Sequence, residues 1–82
     1  MKTVIYTREA AKDLRRHSNM AERIKRVIEE YAADGMAHAN NVTELIGSVG
    51  KRMRVGNYRV VFVETDAQIT VVRVGPRGSV YD

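Results

Sequence analysis

The residues of this 82-residue chain best equipped for chemistry lie in its second half. From Gly50 onward the cations are Lys51, Arg52, Arg54, Arg59, Arg73 and Arg77, against the acids Glu64, Asp66 and Asp82. A guanidinium is planar, permanently charged and forked, so it grips a phosphate or carboxylate through two parallel hydrogen bonds. Several of them in one region make a positive patch suited to a polyanion or an acidic peptide. Tyr81 adds a ring that can stack on a base, as aromatic residues do against single strands. Its phenol can alternatively move a proton if neighbouring arginines lower its pKa from about 10. Arg23, Lys25 and Arg26 form a second basic group. They read either as a solvated helix face or as phosphate contacts that make binding salt-dependent.

Other chemistries find little support in the sequence. His17 and His38 have no His-x-x-x-His spacing and no cysteine to work with, so no metal site is expected. Neither a Ser-His-Asp arrangement nor a Gly-rich phosphate loop is visible. No cofactor and no small-molecule ligand is expected. No apolar run approaches the roughly 20 residues of a membrane span. The stretch Met1 to Tyr6 is too short for a signal peptide. The expectation is a cytoplasmic protein with no membrane partner, and the absence of cysteine fits a reducing compartment.

These residues must be positioned by a small set of elements. The length suits a single domain over residues 1–82. A domain of this size buries only about 60% of its unfolded surface, so a tight partner would add stability. Lys2 to Tyr6, with Thr3, Val4 and Ile5, predicts a short strand. Thr7 is a candidate cap for a helix from Arg8 to about Arg16. Asn19 and Glu22 resemble a capping box for a second helix reaching about Ala33. There Met20, Ile24, Val27, Ile28 and Tyr31 make one apolar stripe, and Asp34-Gly35 ends it. Asn40-Asn41 reads as a turn, with Val42 and Leu45 at a core edge. From Gly50 the period changes to two, placing Arg52 and Arg54 on one strand face and Met53 and Val55 on the other. Gly56-Asn57 turns into a strand from Tyr58 to Glu64, Thr65-Asp66-Ala67 turns again, and Gln68 to Val74 forms the next strand, ended by Gly75-Pro76. Tyr58 shares core parity with Val60 and Phe62. The order argues an α+β domain: a short N-terminal strand, two helices, then a three-strand antiparallel meander, with the helices on one sheet face.

That order, together with Leu45-x-Gly47, Arg52-Met53-Arg54-Val55-Gly56-Asn57-Tyr58-Arg59, Val74-Gly75-Pro76-Arg77 and Val80-Tyr81, resembles the RelE/ParE toxins of type II toxin–antitoxin systems. The similarity covers essentially the whole chain. RelE-like members are ribosome-dependent mRNA endonucleases; ParE-like members poison DNA gyrase and do not cut nucleic acid. The resemblance implies the RelE-like activity, because Arg52 and Arg54 occupy its two basic places, Arg59 its second-strand arginine, Arg77 its later arginine and Tyr81 its terminal tyrosine.

On that resemblance Arg59, Arg77 and Tyr81 are the expected catalytic residues. Arg59 and Arg77 would clamp the scissile phosphate while Tyr81 stacks and orients. Lys51, Arg52, Arg54, Arg23 and Arg26 would hold substrate RNA or ribosomal RNA. The implied reaction is metal-free transesterification by the 2′-hydroxyl. Two departures bear on it. Relatives often carry lysine at the first two basic places, and arginine practically cannot give up its proton. Some place a histidine before the last arginine, where this chain has Pro76. The general base therefore has no assignment. Arg59 could instead bridge to Glu64 or Asp66 as a structural ion pair. The implied partners are the ribosome, mRNA and a cognate antitoxin that wraps the toxin with an extended, acidic, partly helical segment. The alternatives are a gyrase inhibitor on the same fold and a non-toxic partner-binding module.

Overall fold

The computed structural model describes residues 1–45 and 50–78. The expectations placed on Gly47, Val80 and Tyr81 lie outside the described residues. The elements run β1 (Thr3–Tyr6), α1 (Arg8–Arg16), α2 (Ser18–Ala33), a single 3-10 turn (Ala39–Asn41), β2 (Val42–Glu44), β3 (Lys51–Val55), β4 (Tyr58–Glu64) and β5 (Gln68–Pro76). They form one five-stranded sheet in the order β1-β5-β4-β3-β2. The expected meander is β3-β4-β5, antiparallel throughout. The fold is α+β as expected, but the sheet is mixed: β1 lies parallel to β5, with Thr3 opposite Gln68 and Tyr6 opposite Val71.

Thr7 opens α1 as its cap, accepting from the Ala10 N–H at 3.1 Å. Its hydroxyl also donates to the Val72 carbonyl at 2.8 Å, tying the helix start to β5. The expected Asn19 capping box does not form. α2 begins at Ser18 behind His17, which makes no capping hydrogen bond with its side chain. His17 also closes α1, its N–H donating to the Asp13 carbonyl, so one residue serves as the whole link between helices.

Both helices lie on the face that carries Met53, Val55, Val60, Phe62, Ile69, Val71 and Val74. Ala10 and Leu14 of α1 and Ile24, Val27, Ile28, Tyr31 and Ala32 of α2 fill the other half of the core. Val71 and Val74 are three apart in β5, yet both are buried on this face. A shift in register between Val61 and Phe62 makes that possible, because Val61 faces Arg73 while Phe62 faces Val71. The extra residue, Val72, restores the alternation.

The strand β5 runs two residues past its expected end, to Pro76. Proline tolerates this place because its missing N–H would face away from β4. Arg77 N–H points to the Asn57 carbonyl on the β4 side, whereas the Val74 N–H, two residues before Pro76, points the opposite way. There β1 no longer flanks the strand, and α1 does. The Asp13 carboxylate accepts from the Val74 N–H at 2.9 Å and from Arg73 Nε at 2.8 Å.

Candidate functional site

The face opposite the helices carries the arginines. Cross-strand partners project to the same side. Thr43 lies opposite Arg52, Arg52 opposite Val61, and Arg54 opposite Arg59. The alternation expected of β3 is present, with Met53 and Val55 buried and Arg54 exposed. The hairpin turn that sets this register has positive φ at Gly56 alone, the first central position, which suits a II′-type turn. Arg54 is thereby brought against Arg59, two like charges side by side. Such a pair repels unless an anion lies between them.

Two open hollows flank this pair. One, of about 490 Å³, is lined by Arg54, Gly56, Asn57, Arg59 and Arg77. The other, of about 390 Å³, is lined by Asn40, Asn41, Thr43, Arg52, Arg54 and Arg59. Both hollows are shallow and open to solvent, and their lining lacks the apolar walls that small-molecule sites need. A polyanion fits it better. Among the described residues neither Arg54 nor Arg77 has a carboxylate partner, so both charges are available to an incoming anion.

Arg23 joins this end of the molecule from α2. A Cβ built on Gly56 would lie 3.4 Å from its Nη1, so the guanidinium rests against the β3–β4 turn that lines the larger hollow. Nothing in the sequence spacing signalled this contact, which spans the helix and the hairpin. Arg26 is exposed on α2 and lines neither hollow.

Lys51 goes elsewhere. It shares strand parity with Met53 and projects to the helix-covered face, where its Nζ meets Glu64 Oε1 at 2.9 Å. The same carboxylate takes Lys2 Nζ at 2.6 Å and the Tyr31 hydroxyl at 2.9 Å. Burial pushes the Glu64 carboxyl upward, but the Lys2, Lys51 and Tyr31 hydrogen bonds outweigh it and bring it down to about 2. In return the Glu64 hydrogen bond raises Lys51. The bridge considered between Arg59 and Glu64 does not form, since the two side chains leave β4 on opposite faces. Arg73, too, has a described partner away from the hollows, Asp13. Burial raises the Asp13 carboxyl, while Arg73, the Val74 N–H and Arg16 together bring it below the ordinary carboxylate range.

Tyr58 is half-buried and packs against the core, in line with its parity. Its hydroxyl reaches His17 Nδ1 at 3.3 Å, with the rings edge to face at 5.2 Å. His17 thus braces the residue next to Arg59. His38 sits at the other end of α2's connection, with left-handed backbone (φ 63°) and its Nε2 on Glu30 Oε1 at 2.7 Å. Among the described residues no three His, Asp or Glu side chains come together as a metal site. No described helix is long and apolar enough to cross a membrane.

Comparison with known proteins agrees with the architecture. The sequence profile of the ParE toxin of type II toxin–antitoxin systems, parDE, matches residues 4–81. No curated protein matches the chain. Among solved structures, the RelB–RelE antitoxin–toxin complex from Methanococcus jannaschii contains a chain 29% identical, with TM-score 0.72 over 95% of each chain. The archaeal RelE–RelB complex from Pyrococcus horikoshii OT3 matches at 21% identity and TM-score 0.76, over 95% of this chain and 97% of the other. The Escherichia coli DinJ–YafQ toxin–antitoxin complex matches at 12% identity and TM-score 0.79, over 99% and 98%. The last two likenesses are of fold alone.

Proposed function

The chain belongs to the ParE toxin family of type II toxin–antitoxin systems, and from that premise we propose that it is a cytoplasmic, ribosome-dependent mRNA endonuclease that stops translation. The observation that carries this reading is the convergence of Arg54, Arg59 and Arg77 on one open hollow with no apolar wall. Cleavage requires the 2′-hydroxyl to lose its proton and its oxygen to attack phosphorus. The bond to the 5′-oxygen then breaks, and that oxygen takes up a proton. Negative charge builds on the phosphorane oxygens between these events. Arg59 and Arg77 are the proposed clamp on that charge, with Arg52 and Arg54 on flanking phosphates and Arg23 on the RNA beside the hairpin. Tyr81 is the proposed stacking residue and the remaining candidate for proton transfer, because the arginines cannot serve as bases. Lys51, committed to Glu64, is a poorer RNA ligand than its neighbours.

The solved relatives contain RelB or DinJ antitoxins. By extension, a cognate antitoxin with an acidic segment is the proposed partner here, covering the arginine face and blocking entry to the ribosome.

A second reading, gyrase poisoning, draws on the ParE description of the matching profile. Induction in bacteria followed by pulse-labelling of protein and DNA separates the two. Loss of protein synthesis with mRNA cut inside codons, reduced about 10²–10³-fold in Arg77→Ala, is the expected outcome. Arrest of DNA synthesis with translation intact would sink the endonuclease reading. Unimpaired growth would favour a partner-binding module.

A further inference from the structure

We propose that Asn40 and Asn41 form a base-reading subsite for a nucleotide beside the phosphates that Arg54 and Arg59 hold, with adenine the favoured base. This rests on the RNA-binding reading of the arginine face. The two hollows share Arg54 and Arg59, so a single strand laid across that pair places neighbouring nucleotides in each. Their remaining linings differ in balance. On one side the pair is extended by Arg77, which adds charge, and by a single amide, Asn57, beside Gly56 in the hairpin turn. On the other it is extended by Asn40, Asn41 and Thr43, which add neutral donors and acceptors beside Arg52.

A point charge holds phosphate without regard to sequence, whereas a side-chain amide presents a donor next to an acceptor and can read a base edge. Among the described residues no hydrogen bond engages the side-chain amide of Asn40 or Asn41. The turn carrying them is fixed at both ends. His38, in a backbone conformation that non-glycine residues rarely adopt, is tied to Glu30 of α2. On the other side Val42 pairs with Met53 and Thr43 with Arg52. The Asn41 N–H closes the turn on the His38 carbonyl at 2.9 Å. A strained conformation held from both flanks presents fixed groups rather than a loose loop. Adenine offers an amino donor beside a ring-nitrogen acceptor on both its Watson–Crick and Hoogsteen edges, the pattern an asparagine meets with two bonds.

The test uses RNA pentamers that differ only in the central base. Affinity is measured by fluorescence anisotropy at low ionic strength, alongside the side-chain amide NMR signals of Asn40 and Asn41. The adenine pentamer should bind about tenfold tighter than the uracil one. It should shift those amide signals, which inorganic phosphate leaves in place. In Asn40→Ala/Asn41→Ala the adenine preference should vanish. Arg54→Ala should weaken all pentamers alike and flatten the salt dependence. Equal affinities in the wild type, or a preference that survives the double substitution, overturns the subsite. If no pentamer binds in a salt-dependent way and Arg54→Ala changes nothing, the RNA reading itself has failed and takes the subsite with it. Thermal unfolding of each variant shows that it has folded.

Discussion

Asp13 shows how a single side chain can be judged by what its loss strands. Its side chain is 8% exposed and satisfies both the Val74 N–H and Arg73. Asp13→Ala leaves a buried donor without a partner and a cation without its counter-charge, at an expected cost of about 3 kcal/mol in urea denaturation. Arg73→Ala should cost under about 1 kcal/mol, because Arg73 is substantially exposed and the Val74 N–H keeps its acceptor. Similar losses in the two variants would refute this division. Gly56→Ala should cost about 1–2 kcal/mol for the left-handed backbone alone. The Arg23 guanidinium against it can swing aside. The open-face arginines were legible in the sequence because alternation of period two separates Arg52 and Arg54 from Met53 and Val55. By the same alternation Lys51 belongs with Met53 on the covered side, although its charge had grouped it with the RNA-holding arginines. Arg23 was legible as a helix-face cation and candidate RNA contact, but not as a neighbour of the hairpin. Its place at Gly56 depends on how α2 crosses the sheet, which no local pattern records.

Among the elements, the long periodic segments and the β-branched strand β1 were readable, and β2 was not. α1, most of α2 and β3-β4-β5 follow from stripe, alternation and turn residues. The strand β2 spans only Val42–Glu44, too few positions for alternation to show, and owes its existence to pairing with β3. The extension of β5 through Pro76 depends on which way one N–H points, a tertiary fact. Glu64 illustrates the energetics between elements, since its carboxylate joins the segment before β1, α2, β3 and β4. Its carboxyl is depressed to about 2 from 4.5 in the folded chain. Its contribution is therefore complete above about pH 4.5 and is lost as pH falls toward 2, up to about 3 kcal/mol. Melting temperature should drop across that window. Glu64→Gln should already melt lower at pH 7 and show a shallower drop, the remainder belonging to Asp13, whose carboxyl is also lowered. An identical pH profile in the variant would remove Glu64 from the account.

At the scale of the molecule, the sheet is sided. One face is the core and the other gathers Arg52, Arg54 and Arg59 beneath the Asn40-Asn41 turn. Phe62 stands in the central strand with no exposure. Phe62→Ala should cost about 3–5 kcal/mol, a large part of the stability available to so small a domain. Partial unfolding without antitoxin, reversed by adding it, is the expected outcome in calorimetry.

The parallel pairing of β1 with β5 has a consequence in time. Thr3 meets Gln68, so β1 waits for β5, made more than sixty residues later. A growing chain that stops short of Gln68 lacks both that neighbour and the strand that flanks β4. Stalled nascent chains ending at Asp66 should stay open to protease, and chains carried well beyond Pro76 should resist it; early protection would contradict this order of events. On the proposed function, a toxin assembled this way is harmless to the ribosome producing it until β5 has been made.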